Sequence, residues 1–138
     1  MGTSAYDLIS NQLADLAWFG DADDADGYGS VFAEDGVMQL APGFEITGRA
    51  AITEGKRTSW GAPPERVEAM KAAGPSQHHV SSIRIALIDD DHATSTARYL
   101  VFGQEGPRSW GHYTDSWTRV DGQWYIQRRE NSTFGTAG

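Results

Sequence analysis

The chain has 138 residues, 39% of them apolar, and a formal charge of −8 from 11 Lys and Arg against 19 Asp and Glu. At roughly 150 residues per domain this length gives a single domain over residues 1–138, with too much apolar content for disorder over most of it. An acidic surface repels phosphate backbones and anionic lipid, which argues against nucleic-acid and membrane partners and favours a neutral or apolar small molecule.

Cysteine is absent, which excludes a thiol nucleophile, a disulfide framework and thiolate metal ligands. The first residues, Met1-Gly2-Thr3-Ser4, lack the basic and apolar stretches of a secretory signal, so a cytoplasmic location is expected. Apolar runs such as Tyr99-Leu100-Val101-Phe102 are far too short to span a bilayer.

Ser4 opens a helical pattern, and Asp7 stands where a carboxylate favours a helix start. Leu8, Ile9, Leu13, Leu16 and Ala17 draw one apolar stripe at three-to-four spacing, and Gly20 ends it. The acidic run from Asp21 to Asp26 follows. Taking Gly27 as the sixth position of a calcium loop puts Ala22 first and Ala33 twelfth, where oxygen ligands are required. The run is therefore a solvated linker in which Asp23 or Asp24 caps a short second helix carrying Tyr28, Val31 and Phe32. Asp21 differs, because it lies where the apolar stripe ends, at the edge of any cavity that the helix covers.

Val37-Met38-Gln39-Leu40 reads as a short strand, and a third helix is expected from Ala50 to Lys56. Residues 57–77 hold Pro63-Pro64 and Gly74-Pro75 and read as an irregular excursion with a helical turn at Val67–Ala72. This excursion is either a loop or a lid whose apolar members are Trp60 and Met70. Four segments rich in β-branched and aromatic residues follow, at His78–Ile88, Ala93–Phe102, Ser109–Arg119 and Gln123–Phe134. Asp121-Gly122 joins the last two as a tight hairpin. Helices first and an antiparallel meander second define an α+β fold, a mostly antiparallel sheet wrapped by three N-terminal helices. A curled sheet of this kind makes a cone, an α+β barrel with an open mouth.

Five Trp, five Tyr and five Phe exceed what a minimal core needs. The surplus lines a pocket for a ring-bearing ligand or fills core and subunit interface. His78 and His79 are adjacent in a strand, so they face opposite ways and cannot chelate one metal. His92 falls in a turn, and His112 lies mid-strand with Tyr113 and Asp115 on the opposite face. No nucleophile elbow, P-loop or dinucleotide-binding glycine motif is present.

Several short pieces carry a resemblance: Val31-Phe32-Ala33-Glu34-Asp35-Gly36-Val37, Gly48-Arg49-Ala50-Ala51-Ile52, Gln77-His78-His79-Val80, Gly111-His112-Tyr113-Thr114-Asp115 and Asp121-Gly122-Gln123-Trp124-Tyr125-Ile126. With the order of elements, they make residues 5–133 similar to the SnoaL-like branch of the nuclear-transport-factor-2-like superfamily. That fold serves dehydratases, dehydrochlorinases, polyketide cyclases, isomerases, epoxide hydrolases, dioxygenase β-subunits and non-catalytic binders, so it does not by itself name an activity.

The resemblance implies that Asp21 and His78 stand where scytalone-dehydratase-like and hexachlorocyclohexane-dehydrochlorinase-like members carry a catalytic His–Asp dyad. It implies that Tyr99, Val101, Tyr113, Arg129 and Asn131 face the cavity, and Phe19, Met38 and Trp60 complete the expected substrate-binding set. Two features depart from the pattern. The substrate-polarising tyrosine pair of the scytalone dehydratases is unmatched, since Phe19 and Gly20 precede Asp21, and so is the carboxylate of ketosteroid isomerases and classical polyketide cyclases. The implied assembly is a homodimer through the outer sheet face, with Leu100, Phe102 and Trp124 as outward residues.

The expectation is thus a cofactor-free, metal-free dehydratase, isomerase or cyclase acting on a hydrophobic, polyketide-like secondary metabolite. His78 acts as base and Asp21 holds its tautomer. Two other readings stand beside it. One is a cyclase that works by shape in an aromatic pocket with little proton transfer. The other is a non-catalytic ligand-binding or partner subunit.

Overall fold

The computed structural model describes residues 2–136. Helix α1 (Ala5–Asp21) starts where Ser4 Oγ accepts the Asp7 amide hydrogen at 3.2 Å, and it buries Ile9, Leu13 and Leu16 from the expected stripe. Asp24 caps α2 (Ala25–Ser30) by accepting the Gly27 amide at 2.9 Å. This helix is only six residues long. Val31 and Phe32, expected within it, instead leave the helix, and Phe32 opens strand β1 (Phe32–Ala41). The strand claims them because the Val31 carbonyl accepts the Ile126 amide at 2.9 Å and Phe32 pairs with Ile126.

Strand β2 (Phe44–Thr47) hairpins back onto β1 and precedes α3 (Arg49–Arg57). In the excursion, α4 (Pro64–Ala72) is a helix of nine residues with proline in its first turn, where the missing N–H costs nothing. It buries no side chain, and Met70 is exposed, so the helix does not roof the cavity. Strands β3 (Ser76–Leu87), β4 (His92–Gly103), β5 (Gly106–Val120) and β6 (Gln123–Thr136) follow as an antiparallel meander. The six strands are ordered β2-β1-β6-β5-β4-β3. Only β1 and β6 run parallel, so the mixed sheet is mostly antiparallel and stays open at its β2 and β3 edges. The α+β cone is the observed fold. Its core joins Ile9, Leu13 and Leu16 of α1 to Phe32, Ile52, Trp117 and Ile126.

Trp124 corrects one expectation. It is not on the outer face but 3% exposed in the core, with its carbonyl accepting the Gln12 side-chain amide at 2.8 Å. The cause is a bulge in β6. Trp117 pairs with Ile126 while Ser116 pairs with Arg128, which leaves Gln127 as an extra residue. The extra residue reverses the facing parity, so Trp124 and Ile126 point inward before it and Arg129 after it. Phe102, by contrast, is exposed. Among the described residues no helix is long and apolar enough to cross a membrane.

Candidate active site

His78 enters the site because β3 alternates: His78 and Val80 are half-buried and His79 is exposed. Register places His78 opposite Val101 and Val80 opposite Tyr99. Asp21 is the last residue of α1. Its carboxylate lies 2.7 Å from His78 Nδ1 and also accepts the His78 main-chain amide, at 3.0 and 3.2 Å to its two oxygens. A carboxylate only accepts hydrogen bonds, so Nδ1 carries the proton and Nε2 of a neutral ring is left as an acceptor.

The imidazole forms part of the wall of a cavity of about 120 Å³. Leu13, Leu16 and Ala17 of α1 supply its apolar side; Tyr28, Trp60 and Lys56 face them from the following elements. Trp60 is held by an unusual turn in which Ser59 (φ 53°), Trp60 (φ 57°) and Gly61 (φ 73°) are all left-handed. Its ring meets Tyr28 edge-on at 5.8 Å. Gly55 makes room for the indole, since a Cβ there would lie 2.8 Å from it.

Tyr113 of β5 and Arg129 of β6 form the deep end. Asp115 and Arg129 are directly opposite in the β5–β6 register and form two parallel hydrogen bonds, both 2.9 Å, with both side chains buried. The guanidinium carbon stands 3.8 Å from the Tyr113 ring centre, and Tyr113 stacks on Tyr99 at 4.7 Å. Burial disfavours the Arg129 charge, but the Asp115 carboxylate more than offsets it and holds the guanidinium pKa above its usual range. Burial pushes the Tyr28 phenol up to about 12, and pushes Tyr113 up as well. The Tyr28 hydroxyl donates to Met38 Sδ, at 3.7 Å.

The structure therefore brings His78, Trp60, Tyr113 and Arg129 to one cavity, with Asp21 behind the imidazole at the rim. Other expected binding residues lie off the wall. Met38 is core behind Tyr28, and Phe19 is wedged against Gly27, where a Cβ would meet its ring at 2.6 Å. Tyr99 forms the layer beneath Tyr113, with its hydroxyl 2.7 Å from Thr133 Oγ1. Val101 sits beside His78 on the sheet, and Asn131 opposite Tyr113 keeps a buried Oδ1 with no partner among the described residues. These five residues lie near the cavity without lining it, whereas the strand residues His78, Val80, Tyr113 and Arg129 reach its wall directly.

Tyr28 and Lys56 are wall residues that the sequence reading passed over. Lys56 had a signal: it follows the fully buried Ile52 by four residues, hence on the same helical face. Among the described residues no group of three or more His, Asp or Glu is placed to hold a metal ion.

Three solved structures share the architecture. A provisionally assigned scytalone dehydratase from Novosphingobium aromaticivorans is 26% identical, with a TM-score of 0.78 over 96% of this chain and 85% of its own. An NTF2-like protein with a cystatin-like fold from the same organism is 22% identical, with a TM-score of 0.77 over 96% and 83%. A type 2 hexachlorocyclohexane dehydrochlorinase, LinA, is 14% identical, with a TM-score of 0.78 over 96% and 87%. No curated protein matches the sequence significantly. The SnoaL-like domain matches residues 3–130, nearly the whole chain, and the protein belongs to that family.

Proposed function

We propose that the protein is a lyase or isomerase for a small hydrophobic molecule, with His78 as general base and Asp21 as the residue that orients and charges-balances it. The observation that carries this reading is the 2.7 Å contact of Asp21 with Nδ1, which leaves Nε2 as the acceptor of an imidazole that lines the cavity opposite the apolar α1 side chains. Nε2 removes a proton from a carbon beside a carbonyl or a leaving group, and the C–H electron pair forms the new double bond. Asp21 stabilises the imidazolium so formed. The imidazolium then returns the proton to a departing hydroxyl, giving water and an alkene, or to another carbon, giving an isomer.

Such proton transfer asks for no redox group, and a positioned base supplies about 10²–10⁴ in rate. Leu13, Leu16 and Trp60 hold the apolar body, and Arg129 presents positive charge at the far end where an oxygen gains electron density. Dehydration, isomerisation or ring closure of a polyketide-like molecule all fit this chemistry. The scytalone dehydratase and dehydrochlorinase names attached to structural neighbours support the same class.

The test is exchange of α-protons of cyclohexanone in D₂O, followed by NMR. Wild type accelerates exchange, and His78→Gln loses about 10²-fold or more of that acceleration. Equal exchange by the two proteins overturns the proposal.

A further inference from the structure

The two carboxylates at the end of α1 are divided between two partners. Asp21 binds His78, and Asp23, two residues on, lies 3.3 Å from Lys56 Nζ. The cations at the cavity differ in how firmly they are matched. Arg129 is held by both oxygens of a buried Asp115. Lys56 has one contact to a carboxylate that is itself 91% exposed, while the lysine side chain is only 17% exposed. An ion pair with one partner in water is weak and easily exchanged. The ammonium is also 6.0 Å from the Tyr28 ring centre, and the Lys56 side chain lies along the cavity wall. Lys56 thus places a replaceable positive charge at the mouth of a cavity whose α1 side, Leu13, Leu16 and Ala17, is apolar, in a chain of net charge −8.

We infer that Lys56 is an anion-recognising residue and that the substrate is an apolar carboxylic acid, its carboxylate docking on Lys56 in place of Asp23. The inference rests on the proposed site at His78 only for the reaction; binding itself needs no working base. The geometry suits such a molecule. A carboxylate at the rim keeps part of its hydration, so it avoids the large cost of burying a charge. The apolar body then enters a cavity of about 120 Å³, close to the roughly 150 Å³ that accommodates one benzene ring. The ligand is accordingly a one-ring acid or a larger acid that inserts one ring. The overall negative charge repels anions at long range, and salt screens that repulsion while weakening the local pair.

The probes are benzoate and its neutral isostere benzamide, measured by calorimetry on the full chain. Wild type is expected to prefer benzoate by about tenfold or more. Lys56→Met removes that preference. Asp23→Asn strengthens benzoate binding several-fold, because the competing carboxylate is gone. A purely structural ion pair predicts no such gain, so the opposite signs of the two variants identify ligand binding. His78→Gln retains the preference, which separates Lys56 from a protonated imidazole.

Preference that survives in Lys56→Met assigns the carboxylate to Arg129 and overturns the inference. So does weaker benzoate binding in Asp23→Asn, or no saturable benzoate binding by wild type. The two proposals fail separately: benzoate preference without cyclohexanone exchange overturns the proton-transfer reading, and exchange without benzoate preference overturns the anion site.

Discussion

Asp21 holds His78 at two points, through the ring at Nδ1 and through the main-chain amide of the same residue. One carboxylate therefore sets both the tautomer of the imidazole and the position of the strand that carries it. The end of α1 is tied to the start of β3 by a side chain, across 57 residues of sequence.

The double contact predicts different effects for two substitutions. Asp21→Asn keeps an acceptor for the amide but loses the charge that stabilises an imidazolium. It should lower cyclohexanone exchange by about 10²-fold with little change in stability. Asp21→Ala should lose the same activity and, in addition, about 1 kcal/mol of stability as both hydrogen bonds disappear. Urea denaturation beside the exchange assay separates the two. In ¹⁵N NMR, wild-type His78 should show Nδ1 protonated, and Asp21→Ala should shift the ring toward a tautomer mixture.

The Asp115–Arg129 pair is buried on both sides, so breaking it costs more than removing it. Arg129→Met or Asp115→Ala alone should destabilise by about 3–5 kcal/mol, each leaving an uncompensated charge. The double variant should be much less damaging than the sum of the two. A double-mutant cycle in urea measures this; additive losses would contradict it.

Gly55 gives a packing prediction. An added Cβ would lie 2.8 Å from the Trp60 indole, which is itself held in a left-handed turn. Gly55→Ala should gain up to about 1 kcal/mol in helix propensity and lose about 1–3 kcal/mol by overpacking. The indole should move off Tyr28, so Trp60 fluorescence, taken as the difference from Trp60→Phe, should shift to longer wavelength. An unchanged spectrum would show that the turn absorbs the methyl group.

Alkaline pH tests the buried phenols. Tyr28 ionises near 12 in the folded state because of burial, against an ordinary value near 10. Between these values the unfolded chain loses a proton that the folded chain keeps. Stability should therefore fall as pH rises from about 10 to about 12, by at most roughly 3 kcal/mol for this group. Tyr28→Phe should flatten the fall. Ultraviolet titration, compared with Tyr28→Phe and Tyr113→Phe, should show that Tyr28 and Tyr113 resist ionisation at pH 11 while the protein is folded.

Much of this molecule follows from local sequence. The stripe Ile9, Leu13 and Leu16 requires a buried helix face, and the Ser4 and Asp24 caps mark where α1 and α2 begin. Period-two alternation puts His78 and His79 on opposite faces without reference to the rest of the chain, and the structure turns His78 inward. Those features depend on neighbours within a few residues, where backbone geometry alone decides the facing. The remainder depends on contacts between distant segments. The bulge at Gln127 reverses the facing of β6, and only the pairing with β5 reveals it, so Trp124 moved from surface to core. The cavity wall is likewise a property of layers: Tyr113 covers Tyr99, and Tyr28 covers Met38. Lys56 gains its meaning from Asp23 and Tyr28, 33 and 28 positions earlier. Sequence determined which side chains share a face within a regular helix or strand; tertiary packing decided which face turns inward and which side chains a ligand can touch, because that depends on what else occupies the same small volume.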